Sequence, residues 1–456
     1  MTHNEKGVTV MRFHLRIFLI LFFFFSSLLQ LNAQIENKES NSSLTLAESV
    51  RLAQGNNKSV LQARESILGA EAKIDESRSV YFPQIRLDGN YTRLNTFSTF
   101  KFEIPGLPAE EFKLGTQNNY NAQVALNQSL FNWGRNGKMV ELSEIELSQA
   151  KHSATFTERE VTYLTVQLYY QILMVSEAIK VINENLSLLE QRLSMMKKKY
   201  NAGETSSFDI LSMEVQISSV SGEILNAETS LRKLKMQFNK IIGRSPDNIV
   251  QLQDSLAYIP VSMDEKILFN EAFANRIELK QLHEREKQAS LQKDISSTMN
   301  KPNVDLFFNW DLRNGYLPKV DIFKGSWNAG LSFSLPLFDG FRTSSQVQQS
   351  EILLKTTQMQ YDDTVNEIAI EIKNVLLDLQ TKAKQIEIEQ KKIELTKQSL
   401  ATAEERYNRG LVSTLDLLDI QQSLQTAKLN YVQAVGYYII SKYNLQKSMG
   451  RNVFKK

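Results

Sequence analysis

The sequence predicts an α+β membrane protein in which a unit of long coiled-coil helices and two transmembrane strands occurs twice in tandem. Three observations predict this class: motifs that recur at a constant spacing, long helical segments that contain no proline and at most one glycine, and four segments in which polar and apolar residues alternate. Only 8 of the 456 residues are proline and 18 are glycine, so long uninterrupted elements are expected.

The tandem duplication is visible as three pairs of motifs separated by 207 residues. The paired motifs are LFNWGR and LFDGFR, starting at residues 130 and 337, YNAG and YNRG, starting at 200 and 407, and Gly-Arg, starting at 243 and 450. Three signals at one spacing indicate that the chain is two copies of a unit of roughly 200 residues.

A second spacing locates an insertion in the first half. Asn56 corresponds to Asn275 at a spacing of 219 residues, so the first half contains twelve residues more than the second. The segment from Thr96 to Thr116 contains Pro105 and Pro108. It is predicted to be an irregular loop that contains the twelve additional residues. The expected domains are a first repeat at 34–243, a linker at 244–265 and a second repeat at 266–456.

The first 33 residues have the pattern of a secretory signal peptide. A basic stretch with Arg12 and Arg16 precedes the apolar run IFLILFFFF, and Ala33 ends a small-residue cleavage site. The apolar run is shorter than the ~20 residues that span a bilayer, so cleavage rather than anchoring is expected. Met11 is an alternative start of translation.

Composition and motifs exclude several classes of function. The 53 Lys and Arg residues balance 51 Asp and Glu residues, without the basic excess of a nucleic-acid binder. The absence of cysteine excludes disulfides, thiolate metal sites and a cysteine nucleophile. Because the chain also has no nucleophile elbow, metal-ligand spacing or phosphate-binding glycine loop, we expect no enzyme, no cofactor, no metal and no nucleic-acid partner.

Long helices are predicted over residues 135–200 and 342–407. The first contains no proline and one glycine, Gly137 close to its start, and would be ~100 Å long at 1.5 Å per residue. Its apolar residues recur in alternating steps of three and four, which is the heptad seam of a coiled coil: Val161, Leu164, Leu168, Ile172, Val175, Ile179, Ile182, Leu186, Leu189, Leu193, Met196 and Tyr200. In the second helix Lys382 and Glu389 interrupt a weaker seam.

The chain is expected to reverse its direction after each long helix. Gly203 and Gly410 fit the left-handed position that ends a helix. The segments SSFD and STLD then form capping boxes that begin return helices at 206–242 and 413–449. Apolar patterns also predict helices over Leu46–Ser79 and Lys266–Thr298.

Four segments alternate strictly between polar and apolar residues, with Phe307 as the exception on a polar face. They lie at about 84–94, 119–130, 303–313 and 327–337. Runs of about ten residues with aromatics near their ends are typical of transmembrane strands, although a soluble half-buried sheet alternates in the same way.

The number of strands predicts the oligomer. Four strands cannot close a barrel, and open strand edges are not tolerated in lipid. Two chains would give eight strands, whose interior fills with side chains, whereas three chains give twelve. A conduit therefore favours a homotrimer with a 12-stranded β-barrel.

The duplicated order of helix, two strands, long helix, glycine turn and return helix resembles the outer-membrane efflux family typified by TolC. The resemblance covers nearly the whole chain after residue 33, and its most specific pieces are the LFNWGR and LFDGFR junctions and the two glycine turns. It implies a channel-tunnel in the outer membrane with its helical part in the periplasm. It also implies the partners of a passive exit duct for efflux or type I secretion: a periplasmic adaptor of the membrane-fusion class, an inner-membrane pump and outer-membrane lipid.

The resemblance also implies which residues act. The adaptor-contact tip would comprise Gly203, Gly410, Asn201, Asn408 and Leu411. Residues of the pore entrance would be Asp416, Asp419, Asp209 and Tyr407. The family's type member has an arginine where this chain has Val412, so a gate latch that depends on that arginine is not expected here.

These acidic residues have a second reading as helix caps. Asp209 and Asp416 both occupy the last position of a capping box. Asp419 lies outside the box, and its counterpart in the first repeat is Ser212, which favours a role specific to the pore. Three Asp419 carboxylates on a threefold axis would attract cations.

One other class of protein is compatible with long helical hairpins. A periplasmic coiled-coil adaptor or structural protein without a barrel would also contain them, but it would carry its hairpin once and would lack the four alternating segments. The exported cargo and the energy source of the pump are not determined by the sequence.

Overall fold

The computed structural model describes residues 43–96, 98–102, 105, 110–261, 264–316 and 319–452. The expected signal peptide at 1–33 lies outside these residues. The chain divides into two units. In the smaller unit, Leu44 and Leu252 form an isolated parallel bridge. The larger unit, residues 45–248 and 254–456, contains the helices and strands described below.

Each repeat contributes four helices to the larger unit. Those of the first repeat are α1 (Leu46–Asn56), α2 (Lys58–Arg78), α3 (Arg135–Asn201) and α4 (Ser207–Ile241). Those of the second repeat are α5 (Glu265–Asn275), α6 (Ile277–Ser297), α7 (Arg342–Asn408) and α8 (Thr414–Ser448). Helices α3 and α7 have 67 residues each, which corresponds to ~100 Å. Each packs along its return helix, and α3 also packs against α8.

The shorter helices are divided, whereas the sequence predicted one continuous helix in each repeat. The chain is extended at Asn57 and at Arg276, where one helix ends and the next begins. The Asn57 side chain stabilises its break, because Oδ1 accepts the N–H of Ser59 at 2.9 Å and Nδ2 donates to the carbonyl oxygen of Ile241 at 2.9 Å. A polar residue that can bond the backbone at both sides competes successfully with helical continuation.

The recurring motifs contact each other within each repeat. Gly243, which follows α4, has a φ of 76°, and a Cβ there would lie 2.7 Å from the carbonyl oxygen of Asn56. Gly450, which follows α8, has a φ of 68°, and a Cβ there would lie 2.8 Å from the carbonyl oxygen of Asn275. Each return helix therefore ends against the break between the two short helices of its own repeat, at a distance that only glycine allows.

The turns between long and return helices have the geometry that the motifs specify. Gly203 and Gly410 adopt φ values of 80° and 75°. Ser206 Oγ accepts the N–H of Asp209 at 3.1 Å, and Asp209 Oδ2 accepts the N–H of Ser206 at 3.2 Å. Ser413 and Asp416 form the same reciprocal pair at 3.1 and 3.3 Å. Each box satisfies backbone donors that the first turn of its helix leaves free.

Four long strands form one antiparallel sheet. They are β1 (Gln84–Arg93), β4 (Asn118–Phe131), β5 (Asn303–Arg313) and β6 (Lys324–Ser334), in the order β1-β4-β5-β6. Strand β6 begins and ends three residues earlier than the predicted 327–337. Pro336 has no N–H for a ladder and restricts the residue before it, so the strand ends at Ser334.

The insertion of the first repeat is not simply an irregular loop, as the sequence had predicted. It contains β2 (Thr99–Phe102) paired antiparallel with β3 (Glu110–Lys113). Pro105 lies in the connection between the two strands, where it interrupts no ladder. The segment TFKF combines β-branched and aromatic residues with a period of two, which favours a strand even at this length.

Among the helices of the described ranges, none contains an 18-residue stretch apolar enough to cross a membrane.

The contact of Gly243 with Asn56 predicts a large difference between two glycine substitutions. Gly243→Ala is expected to lower the free energy of unfolding by about 2–4 kcal/mol, because it combines an unfavourable φ with a clash against backbone atoms. Gly55→Ala is the matched control, since Gly55 is helical and a Cβ there has nothing within 4 Å. Unfolding followed by circular dichroism measures both, and equal stabilities would contradict the contact.

Candidate functional site

One face of the four-stranded sheet is apolar and exposed. Two neighbouring cross-strand rows on this face consist of Ile85, Leu126, Phe308 and Ala329, and of Leu87, Val124, Trp310 and Trp327. The side chain of Leu87 is 73% exposed and that of Trp327 is 70% exposed. An exposed apolar patch that spans a whole sheet marks a surface that meets another apolar phase.

The opposite face of the sheet is polar. Two of its rows consist of Arg86, Ala125, Asn309 and Asn328, and of Asp88, Gln123, Asp311 and Ser326. A cavity of about 550 Å³ on this face is lined by residues from all four strands, including Gln84 of β1 and Ser332 of β6. Residues of both edge strands therefore line one cavity on the polar side of the sheet.

The expected adaptor-contact residues lie at the ends of the helical hairpins. Exposed there are Asn201, Gly203, Asn408, Gly410 and Leu411. The Leu411 side chain is 72% exposed and directly follows the left-handed glycine of its turn. An exposed large apolar side chain at the end of a hairpin is available for a contact with another protein.

The two hairpins of the chain share an apolar cluster close to these turns. Its buried members come from α3 and α4: Ile182, Leu189, Met196, Met213 and Val220. Leu418 and Leu429 of α8 pack against it. The heptad seam of α3 therefore holds its own return helix and part of the second hairpin.

A line of polar contacts, called here the polar ladder, runs beside this cluster. It consists of Asn185 and Arg192 of α3, which are one heptad apart, with Gln421 and Gln425 of α8 and Glu404 of α7. The Gln421 amide donates to Asn185 Oδ1 at 2.7 Å, and Asn185 donates to Gln425. Arg192 donates to Gln421 and forms an ion pair with Glu404.

The ladder is largely withdrawn from solvent. Asn185, Gln421 and Gln425 are buried, and the Arg192 side chain is only 14% exposed. Buried polar groups require partners, and here each partner belongs to the other hairpin. The ladder therefore sets the relative position of the two hairpins.

Asp209 connects the two turns as well as capping its own helix. Its pKa lies below the usual range because Ser206, together with Thr414 and Thr205, donates hydrogen bonds to the carboxylate, against partial burial, which raises the pKa. Thr414 is the first residue of α8, so the acid of the first hairpin contacts the start of the second. Asp209 therefore stays ionised at the tip over the ordinary pH range.

Tyr407 lies between the two helical hairpins of the chain. Its ring faces Lys199, whose Nζ lies 5.3 Å from the ring centroid. Both side chains line a cavity of about 310 Å³ together with Arg192, Glu404 and Thr414. In the described part of the tip, Tyr407 makes no hydrogen bond to Asp209, so these two residues are not joined directly.

The two acids proposed for a ring lie on the exposed side of α8. Asp416 and Asp419 are both exposed, and Asp416 bonds Ser413 through the capping box. Asp416 also lines a surface cavity with Val412 and with Arg406 of α7. The positively charged side chain near Asp416 is therefore that of Arg406, whereas residue 412 is a valine.

The sequence reasoning did not identify the polar ladder. A signal was present, because Asn185, Arg192 and Lys199 recur every seven residues beside the apolar seam. Their counterparts 207 residues later are Lys392, Ser399 and Arg406, so the order Asn-Arg-Lys is not repeated. The partners could not be recognised, because Gln421 lies 229 residues from Arg192.

No group of three or more histidine or acidic side chains within the described ranges has an arrangement that could hold a metal ion. His152 of α3 and His283 of α6 line one surface cavity.

Sequence comparison identifies relatives over most of the chain. Residues 49–244 and 268–451 match the family described as outer membrane efflux protein. The outer membrane efflux protein BepC of Brucella suis is 19% identical over 89% of this chain and 85% of its own. The outer membrane protein TolC of Escherichia coli is 21% identical over 83% of this chain and 76% of its own.

The fold also has solved counterparts. The outer membrane protein VceC of Vibrio cholerae superposes with a TM-score of 0.72 at 18% identity, over 89% of this chain and 96% of its own. Long helical hairpins joined to a two-faced sheet therefore define the class of outer-membrane channel proteins. The chain belongs to the outer membrane efflux protein family. The expected fold class, outer-membrane location and efflux function are confirmed, and members of the family are channels.

The polar ladder predicts that substitution of Arg192 weakens the contact between the two hairpins. Arg192→Gln removes the ion pair with Glu404 and leaves a buried partner unsatisfied, so amide exchange at the start of α8 is expected to rise about tenfold or more. Lys197→Gln is the matched control, because Lys197 lies on the same helix as Arg192 and forms an exposed ion pair, at 2.9 Å, with Glu214 of α4. Hydrogen exchange read by mass spectrometry measures both, and equal exchange rates would show that the ladder does not hold the hairpins.

Proposed function

We propose that three copies of this chain form a duct, in which their sheets close a 12-stranded barrel in the outer membrane and their hairpins form a tunnel in the periplasm. The observation that carries this proposal is a sheet with one polar face, on which a cavity lies, and one exposed apolar face. Among the described strands, β1 and β6 each pair on one side only. In lipid both edges need a partner, and a neighbouring copy supplies one to each.

The number of copies follows from the strands and the required lumen. Two copies would close eight strands, whose interior is filled by side chains, whereas three copies give twelve strands and room for cargo. The six hairpins of three copies would then surround the axis. Outer-membrane lipid is the partner proposed for the apolar face.

The proposed partners at the other end are a periplasmic adaptor of the membrane-fusion class and an inner-membrane pump. Exposed Leu411 and the glycine turns beside it support an adaptor contact at the tip. The pump would supply the energy, so that the duct itself is passive. Efflux and type I secretion both fit such an arrangement, and the names of the relatives favour efflux.

Opening of the tunnel is proposed to separate the two hairpins along the polar ladder. An intramolecular hydrogen bond contributes only about 0.5–1.5 kcal/mol net, because water replaces the partners when the surfaces part. Asn185, Gln421 and Gln425 would be rehydrated on opening, whereas a wholly apolar interface would resist it. An adaptor that binds the open arrangement more tightly would shift the equilibrium toward it.

Asp416 and Asp419 are proposed to form the acidic rings at the entrance, with Asp209 and Tyr407 in the contacts between hairpins. Exposure of both aspartates on the first turns of α8 supports this role. Asp416 also caps its helix, so its two roles overlap, whereas Asp419 takes no part in the capping box. Three carboxylates around one axis would favour the passage of cations.

Native mass spectrometry of the protein extracted from outer membranes in mild detergent tests the assembly. A mass of three chains is expected. A monomer that needs no detergent would overturn the barrel and favour the alternative, a periplasmic coiled-coil adaptor or structural protein.

The proposed ring of Asp419 carboxylates predicts that substitution of this residue changes the ion selectivity of the channel. Asp419→Ser, which gives α8 the residue of the first repeat at the equivalent position, is expected to lower the cation preference of the channel without loss of assembly. Reversal potentials in a salt gradient across a planar bilayer measure it. Asp247→Asn removes a charge at an exposed site beyond the far end of α4 and should leave the reversal potential unchanged. An unchanged potential for both variants would place the ring elsewhere.

A further inference from the structure

Phe307 is an aromatic residue among the polar side chains of the polar face of the sheet. Its row consists of Gln84, Asn127, Phe307 and Gly330, and the rows on either side contain polar residues and one alanine. Hydrophobic residues of the strands otherwise belong to the apolar face, where burial in lipid would favour them. An aromatic side chain on the wet face gains nothing from lipid, and a different reason for its presence is needed.

The ring of Phe307 is held in place by a glycine on the neighbouring strand. Phe307 pairs with Gly330, and a Cβ at residue 330 would lie 2.9 Å from the Cζ of the ring. The ring thus lies over the backbone of β6, where any larger residue would displace it. One side of the ring is covered by the strand, and the ring also lines the cavity on the polar face.

The cavity around Phe307 combines an aromatic ring with negative charge. Its lining includes Asp305 and Asn309 on the same strand and Asn127 on β4. Asp305 Oδ2 accepts a hydrogen bond from the Asn303 amide at 2.7 Å, and across the described residues no Lys or Arg forms an ion pair with it. Arg86, in the next row of the polar face, is already paired with Asp88 at 2.7 Å.

We propose that Phe307 and Asp305 form a subsite inside the duct that transiently holds organic cations carrying an aromatic ring. An unpaired carboxylate attracts the charge, and the exposed side of an aromatic ring binds both a cation and a second ring. The neutral amides of Asn127 and Asn309 tolerate polar substituents. This inference rests on the proposed duct, in which the polar face lines the lumen.

The position of the subsite suits a selective step. Asp305 and Phe307 lie in the first residues of β5, close to the end of the sheet that joins the helices. Three copies would place three rings and three carboxylates at one level, where the tunnel opens into the barrel. Cargo of this class would therefore be retained for longer at this level than neutral or anionic cargo of equal size.

Blockade of single-channel current by a matched pair of small cations tests the subsite. Phenyltrimethylammonium and tetramethylammonium carry the same charge, and only the first has a ring. In the unmodified protein, half-blockade by phenyltrimethylammonium is expected at a concentration about tenfold lower. Phe307→Leu should remove that difference, and Asp305→Asn should weaken blockade by both cations. Phe308→Leu is the matched control, because it makes the same change on the apolar face.

The outcomes separate this inference from the duct itself. Equal blockade of the unmodified channel by the two cations, or an undiminished difference in Phe307→Leu, would overturn the subsite while the open current still demonstrates a duct. Absence of any current from trimers of the unmodified protein would overturn the duct, and the subsite with it. Leucine keeps an apolar side chain over Gly330, so an unchanged open conductance in Phe307→Leu shows that the barrel is intact.

Discussion

Backbone pairing between β4 and β5 is the interaction on which the rest of the structure depends. It joins the strand pair β1–β4 of the first repeat to the strand pair β5–β6 of the second, with Val124 opposite Trp310, so that the four strands form one sheet. The register also decides which side chains share a face, because a shift by one residue would exchange the polar and apolar sides. The polar surface, the exposed apolar surface and the two free edges all follow from this pairing.

The two repeats have kept the same backbone but differ where the hairpins meet. Gly243 and Gly450 make equivalent contacts with Asn56 and Asn275, so the frame at the base of the hairpins is preserved. Arg192, in contrast, corresponds to Ser399, and its partner Gln421 corresponds to Glu214. The contact between Arg192 and Gln421 therefore occurs once in each chain. It is not repeated at the equivalent positions of the duplication, because these hold Ser399 and Glu214.

Local signals were sufficient for most elements of the fold. The turns at Gly203 and Gly410 and the capping boxes after them depend on neighbouring residues, and the structure has them at those positions. Two local signals were undervalued: the sequence GNN at 55–57, where one helix ends and the next begins, and Pro336, before which β6 ends. The short strands β2 and β3 were missed because only the prolines between them were weighed.

The sequence by itself determined the duplication, the helical hairpins and the alternation of the strands, because each depends on residues within a few positions of one another. Only the tertiary structure decided the partners of Arg192, the contact of Asp209 with Thr414 and the position of Phe307 over Gly330. These contacts join residues on different elements, and periodicity carries no information about which residues meet across an interface. The burial of polar groups at the candidate site arises from that packing.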